Sequence, residues 1–251
     1  MVLYHTLVML IILWVVMMSR PNRQKGNSSR KTKSRYSGDT VLIICEGTQT
    51  EPNYLNELKD YFALNQASID IVPSDGSAPN SVVKHAKQAI KDACAKGNPY
   101  AKVYCVIDKD LHPTYTSALQ DIVTYNSVSR VKCDTVICAI PSVPCFEYWI
   151  LMHFTPSTQN FGTSGSSPCG QLISTALKTH IPGYTKANRV LARELISTRL
   201  EIARKNSAIT LNLAQSANTD DPSTKIHLLV DELEYLKNNT YFKDDKKGCP
   251  Q

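Results

Sequence analysis

The chain has 251 residues, of which 42% are hydrophobic and 20% are charged, a composition typical of a globular protein with a sizeable core. Its 10 Gly and 13 Pro, without an internal repeat or a heptad pattern, exclude fibrous chains, solenoids and long coiled coils. The net charge of +6 is unevenly placed, because seven of the 28 basic residues lie within residues 19–36 and the remaining 21 nearly balance the 22 acids.

The first 37 residues are predicted to combine an apolar run with a basic, disordered leader. Residues 2–18 contain no Lys, Arg, Asp or Glu, and their length is at the short limit for a membrane span. One interpretation is therefore a single N-terminal membrane anchor with a cytoplasmic body, whereas a secretory signal fits poorly because no basic segment precedes the run. The interpretation that we favour is a start of translation at Met17 or Met18, which gives a cytoplasmic protein without the run.

The basic leader, residues 19–36, contains seven Lys or Arg and no acid. Such a segment is attracted to phosphate groups or to an anionic surface, and a solvated tail without a specific partner is the alternative. The rest of the chain is nearly neutral, so strong binding of nucleic acid by the isolated protein is not expected.

Strands and helices alternate from residue 40 to residue 140. Short apolar or alternating runs predict strands at residues 40–45, 68–72, 101–107 and 135–140. Helical spacing predicts intervening helices, the first of them capped by Thr50, at residues 51–65, 81–96 and 117–125. This βαβ order predicts an α/β fold with a mainly parallel sheet and right-handed crossovers.

The C-terminal half is predicted to be mostly helical, with a Gly- and Ser-rich loop at residues 160–170. Helical patterns occur at residues 145–154, 170–179, 186–206 and 223–237. Asp221 or Ser223 is expected to cap the last of these helices. We therefore expect one α/β domain over residues 38–238, with a helical C-terminal portion, followed by a polar tail at residues 239–251.

The eight cysteines are interpreted as free thiols in a reducing compartment. Cys45, Cys105 and Cys138 lie in apolar, strand-like runs, where a buried cysteine behaves as a small hydrophobic residue. The sequence contains no C-x-x-C pair, which argues against a zinc site.

Three carboxylates directly follow predicted strands, Glu46 after the first strand and Asp108 and Asp110 after the third. Ligands bind at the carboxyl ends of parallel strands, so Glu46 joins the other two acids if these strands are adjacent. In an extended segment Asp108 and Asp110 point to the same side and Lys109 faces away. Because clustered carboxylates favour a divalent cation, we expect Mg²⁺ or Mn²⁺ bound by Glu46, Asp108 and Asp110, with Glu46 as ligand or general acid/base.

His112 and Glu147 are further candidate catalytic residues. His112 lies two residues after Asp110, where an imidazole can orient water, donate a proton or contact phosphate. Glu147 lies within an apolar helix and therefore needs a partner, such as a cation, backbone amides or the metal site. A purely structural interpretation also exists for Glu46, Asp108 and Asp110, since acids after strands often cap the next helix or keep a loop soluble.

Several enzyme classes are disfavoured by missing or misplaced motifs. The sequence contains no G-x-x-x-x-G-K-[ST] loop for ATP, no G-x-G-x-x-G after a strand and no G-x-S-x-G elbow. A phosphatase of the haloacid dehalogenase type also uses D-x-D after a strand. Its pair normally follows the first strand and precedes Thr or Val, whereas here the third strand carries the pair and Leu111 and His112 follow.

Four segments in order resemble the RloB family, over roughly residues 38–237. They are ICEG at residues 44–47 with TEPNY at 50–54, DKDLH at 108–112, PCFEYW at 144–149 with HF at 153–154, and DPST at 221–224. Two positions depart from the family pattern, since Val143 and Asp221 stand where the family has Asn. Neither departure affects the candidate carboxylates.

The resemblance implies a Toprim-like α/β fold in which Glu46, Asp108 and Asp110 bind a divalent metal. It also implies a role in phage defence or abortive infection, at restriction loci, beside an AAA-type ATPase partner. A metal-dependent nuclease that cleaves RNA or DNA is the leading hypothesis, although the Toprim relation supports the architecture more strongly than the catalysis. The alternative is a non-catalytic nucleic-acid-binding or regulatory partner of the ATPase, and assembly as a homodimer is left open.

Overall fold

The computed structural model of the protein describes residues 39–64, 68–128, 133–162, 167–239, 242 and 248–250. The predictions of an apolar run and a basic leader at residues 1–37, and of a polar tail over most of residues 239–251, lie outside the described residues. Within the described ranges, no helix combines the length and the apolar character that crossing a membrane requires.

Among the described residues, five strands form a single sheet. The strands are β1 Val41–Cys45, β2 Ile69–Pro73, β3 Lys102–Asp108, β4 Val136–Val143 and β5 Ser223–Thr224. Their order in the sheet is β2-β1-β3-β4-β5. The first four are mutually parallel and β5 pairs antiparallel to β4. This arrangement confirms the predicted mainly parallel α/β sheet.

Helices cover both faces of the sheet and form most of the C-terminal portion, as predicted. They are α1 Thr50–Tyr61, α2 Pro79–Ala95, α3 Tyr115–Ser127, α4 Glu147–Met152, α5 Pro168–Gln171, a π-helical segment Leu172–Leu177, α6 Lys178–His180, α7 Arg189–Ser216 and α8 Ile226–Asn238. Helices α2 and α3 pack on one face of the sheet, and α1, α4, α7 and α8 pack on the other.

The continuous apolar run of β1 is explained by burial on both faces. Val41 and Ile43 pack against α1, α4 and the C-terminal helices, whereas Leu42 and Ile44 pack against α2 and α3. Because successive side chains of a strand point to opposite faces, a strand covered on both sides needs apolar residues at every position.

The predicted helix caps are wrong, although the helices themselves form. Helices α1 and α8 have Gln49 and Lys225 at their N-caps, and neither side chain makes a capping hydrogen bond. Thr50 is already the first residue of α1, and Ser223 forms β5 against Val143. At the start of α8 the N–H of Ile226 instead donates to Thr224 Oγ1 at 3.2 Å, so Thr224 provides a local acceptor there rather than Asp221 or Ser223.

The interpretation of all eight cysteines as free thiols is also wrong. Three pairs lie at disulfide-bonding distance: Cys94–Cys133, Cys138–Cys249 and Cys145–Cys169. Cys45 and Cys105 are free and buried, as expected for small hydrophobic residues. The paired residues are between 24 and 111 positions apart in the sequence, so only the fold brings them together. Cysteine usage therefore no longer supports a reducing compartment, and the cytoplasmic location stays a prediction.

Candidate functional site

An acidic cleft of about 370 Å³ lies at the carboxyl ends of β1 and β3. The two strands are adjacent, so Glu46 at the end of β1 lies beside Asp108 at the end of β3. The backbone N–H of Asp108 donates to Glu46 Oε2 at 3.2 Å. Glu46, Asp108, Asp110 and His112 all line this cleft, as the strand order predicts if β1 and β3 are neighbours.

Asp110 reaches the cleft by a turn rather than by an extended chain. Its φ of 27° lies in the left-handed region, and its N–H donates to Pro144 O at 2.8 Å. Asp110 Oδ1 accepts a hydrogen bond from the N–H of Cys169 at 3.4 Å. The predicted extended geometry is therefore wrong at Asp110. Lys109, which was expected to face away, forms an ion pair with Asp220 at 2.6 Å.

Glu51, in the first turn of α1, is a buried cleft residue that the strand-end argument missed. Its Oε1 accepts a hydrogen bond from the N–H of Gly47 at 3.0 Å. A Cβ atom at Gly47 would lie only 2.7 Å from Glu51 Cδ, so glycine lets the carboxylate approach the backbone. The sequence signal for Glu51 was its place in TEPNY, one of the segments that resemble the RloB family.

Glu147, at the start of α4, is 1% exposed, and its charge helps to raise the pKa of Asp108 in the cleft. Its Oε1 forms an ion pair with Lys186 at 3.1 Å and accepts a hydrogen bond from the Tyr184 hydroxyl at 3.4 Å. Lys186 itself lines the cleft. Of the three kinds of partner considered for Glu147, a cation, backbone amides or the metal site, the structure shows a cation. Nothing in the sequence indicated Lys186, which lies between α6 and α7.

His112 lines the cleft and lies directly beside Glu46. Its Nε2 lies 3.0 Å from Glu46 Oε1, while the other Glu46 oxygen accepts from the backbone of Asp108. Glu46 is therefore held in place on both oxygens, and an imidazole lies within proton-transfer distance of it.

The acids of the cleft raise one another's pKa. Burial, followed by the charges of Glu51, Glu147 and Glu46, raises the pKa of Asp108 well above its ordinary value, against a backbone hydrogen bond from Phe146. Burial is also the main cause that raises the pKa of Glu51, and the charge of Glu147 adds to it. Burial raises the pKa of Glu46 from 4.5 to about 7, and its hydrogen bond from the Asp108 amide acts in the opposite direction. The cleft therefore favours a bound cation or bound protons.

The donor set has the chemistry that a hard divalent cation requires. Asp108 Oδ1 is inaccessible to solvent and makes no hydrogen bond, although buried carboxylate oxygens are normally paired. Carboxylate oxygens are the preferred ligands of Mg²⁺. In the described part of the chain, however, the three potential metal-ligand atoms that lie within 4.8 Å of one another belong to Cys145, Glu147 and Cys169. The oxygens of Glu46, Asp108 and Asp110 do not form such a tight group, so their shared ion stays a prediction.

The raised pKa of Glu46 predicts that metal-free protein loses stability as pH rises from about 4.5 to about 7. In this window the folded state binds a proton that the unfolded chain has released, so each increase in pH favours unfolding. We expect Glu46→Gln to reduce this slope, which is measured from urea unfolding midpoints at pH 5 and pH 7. A slope that Glu46→Gln leaves unchanged would show that Glu46 does not hold this proton.

The fold and the cleft define an α/β protein whose acidic site lies at the carboxyl edge of two adjacent parallel strands. The model of the RloB-like protein family matches residues 41–233, and the chain belongs to this family. The match confirms the resemblance seen in the four sequence segments. Among curated proteins, none matches the chain significantly.

Proposed function

We propose that this RloB-like protein is a divalent-metal-dependent nuclease that cleaves phosphodiester bonds in RNA or DNA. Its partner in phage defence would be an AAA-type ATPase. The observation that carries the proposal is the acidic cleft at the ends of β1 and β3, which Glu46, Asp108 and Asp110 line. A site with this many carboxylates repels phosphate unless a cation is present, which supports a metal cofactor.

In this proposal Glu46, Asp108 and Asp110 hold Mg²⁺ or Mn²⁺. Asp108 Oδ1 is the best placed ligand because it is buried without a partner. When bound, the metal would neutralise the negative charge that develops on the phosphate and on the leaving oxygen.

His112 and Lys186 supply the groups that act on the substrate. His112 Nε2 lies 3.0 Å from Glu46 Oε1 and is therefore the candidate to move a proton to or from water or a leaving group. The Lys186 side chain is 59% exposed, and its ammonium group has further N–H donors for a phosphate oxygen beside the one that faces Glu147.

The division of labour with an ATPase follows from two properties of the chain. The sequence contains no P-loop, so ATP hydrolysis would come from a partner. Outside residues 19–36 the chain carries 21 basic and 22 acidic residues, so few phosphates can be neutralised by the body alone. We therefore expect the isolated protein to be a slow nuclease that the partner activates.

The experiment is cleavage of labelled RNA and DNA by the protein together with the ATPase encoded beside it. We expect cleavage with Mg²⁺ or Mn²⁺ and none after chelation of the metal. Glu46→Gln should lower the rate by about 100-fold or more, the scale of losing one preorganised electrostatic group.

Asp121→Asn is the matched control, because Asp121 lies on α3 and forms an exposed ion pair with Lys87 outside the cleft. Its rate should equal that of the wild type. Equal cleavage by Glu46→Gln would reject the catalytic role of the cleft. Binding of the ATPase without any metal-dependent cleavage would favour the regulatory alternative.

A further inference from the structure

A second cluster of potential ligands lies on the wall of the acidic cleft. The sulfur atoms of Cys145 and Cys169 and a carboxylate oxygen of Glu147 lie within 4.8 Å of one another. All three residues are buried, with exposures of 2%, 7% and 1% respectively. Both cysteines also line the cleft, so the cluster is reached from solvent at this point.

The two oxygens of Glu147 have separate environments. Oε1 is held by Lys186 and Tyr184, whereas Oε2 lies 3.4 Å from Cys169 Sγ. Oε2 can therefore bind a metal ion while the ion pair between Oε1 and Lys186 stays intact. Outer partners of this kind fix the orientation of a ligating carboxylate.

Two thiolates and one carboxylate form a donor set different from that of the carboxylate site. Thiolates prefer soft or borderline ions such as Zn²⁺, whereas Mg²⁺ prefers oxygen. Three protein ligands leave the fourth position of a tetrahedral ion for water. The absence of C-x-x-C spacing does not exclude this site, because the fold brings together cysteines 24 residues apart.

We propose that Cys145, Cys169 and Glu147 form a Zn²⁺ site when the Cys145–Cys169 pair is reduced. Reduction by a thiol or phosphine breaks the sulfur–sulfur bond and adds two electrons and two protons. Zn²⁺ then replaces the two thiol protons, which are released to solvent. The disulfide and the metal are therefore mutually exclusive states of the same pair.

The site crosslinks two parts of the cleft wall. Cys145 precedes α4, and Cys169 lies in α5, where its N–H donates to Asp110 Oδ1. Zinc would therefore hold α5 in the position at which it contacts Asp110. This inference concerns metal binding alone and does not depend on the proposed nuclease activity.

The test is anaerobic titration of the phosphine-reduced, full-length protein with Co²⁺, which reports zinc sites by absorption. We expect a near-ultraviolet thiolate-to-cobalt charge-transfer band that saturates at one cobalt per chain. Zn²⁺ should abolish the band, and excess Mg²⁺ should leave it unchanged. Cys145→Ser and Cys169→Ser should each remove the band, and Glu147→Gln should weaken cobalt binding by about 10-fold or more.

Two control variants separate this site from the rest of the chain. Cys94→Ser removes one cysteine of a different pair and should retain the band. Glu46→Gln alters the carboxylate site and should also retain it. The proposal is overturned if the phosphine-treated wild type shows no band, whether because the disulfide resists the phosphine or because the thiols bind no metal. It is equally overturned if the band survives in Cys145→Ser.

Discussion

Asp108→Asn is expected to stabilise the metal-free protein and to lower metal-dependent cleavage by about 100-fold or more. The wild-type residue is half-buried beside other acids, and its Oδ1 atom is inaccessible to solvent and has no hydrogen-bond partner. An amide of nearly the same shape removes the charge and its repulsion, which we expect to be worth about 1–3 kcal/mol. The same change removes a ligand that the proposed metal needs. Opposite effects on stability and activity are typical of functional sites.

The stability gained by Asp108→Asn is expected to increase with pH. Burial and the neighbouring acids raise the pKa of Asp108 in the folded state, whereas an unfolded Asp has a pKa of about 3.9. Wild-type stability therefore falls as pH rises above this value, and the Asn variant lacks this loss. Urea unfolding should show the largest gain at alkaline pH and the smallest near pH 4. Added Mg²⁺ should stabilise the wild type and not the variant.

Asp110→Asn provides the comparison within the same cleft. Asp110 accepts a long hydrogen bond from Cys169 and lies in a partly exposed turn. Because an amide oxygen can keep this hydrogen bond at a half-exposed position, the substitution should change metal-free stability by less than about 0.5 kcal/mol. Destabilisation of the metal-free protein by Asp108→Asn would show that the Asp108 carboxylate does not lower the stability of the fold.

The sheet could be predicted because its signal is local. Each of β1 to β4 is a short apolar or alternating run, and the helices between them require parallel pairing. Strand order depends on contacts between distant segments, so the sequence did not predict that β1 and β3 are adjacent. The prediction that Glu46 joins Asp108 and Asp110 was therefore conditional on that adjacency. The two-residue β5 gave no signal, since Ser223 and Thr224 are polar and pair only with the end of β4.

The candidate site was predicted as far as it depends on strand ends. Glu46, Asp108 and Asp110 follow from the rule that parallel strands end at one edge. The remaining parts depend on contacts between distant segments, which composition and spacing do not contain. Lys186 reaches Glu147 from the connection between α6 and α7, and Cys169 reaches Cys145 from α5.

A buried ion pair shows the same limit in the core. Lys102 begins β3, a position that a strand pattern normally gives to a solvent-exposed end. In the structure Lys102 and Glu232 are 1% and 2% exposed and form an ion pair across β3 and α8. Glu232 Oε2 also accepts a hydrogen bond from the Tyr104 hydroxyl at 2.6 Å, and the Phe242 ring lies 4.0 Å from Lys102 Nζ. Glu232 and Phe242 contact Lys102 from more than 100 residues further along the chain, so the strand pattern alone does not predict that Lys102 is buried.

Glu232→Ala is therefore expected to lower the free energy of unfolding by about 3–5 kcal/mol. The substitution removes a buried counter-charge of Lys102, and breaking one side of a buried ion pair costs far more than replacing both of its members. The double variant Lys102→Met, Glu232→Leu removes both charges and should recover most of the loss. Urea denaturation of the two single variants and the double variant gives the coupling energy directly.

The exposed pair between Lys87 and Asp121, joined at 2.5 Å, is the control for burial. Asp121→Ala should cost less than about 1 kcal/mol, because water screens the charge that remains. Both pairs have direct contacts between charged atoms, and the main difference between them is burial. A loss below about 1 kcal/mol for Glu232→Ala would contradict the prediction that this ion pair compensates a costly burial of charge.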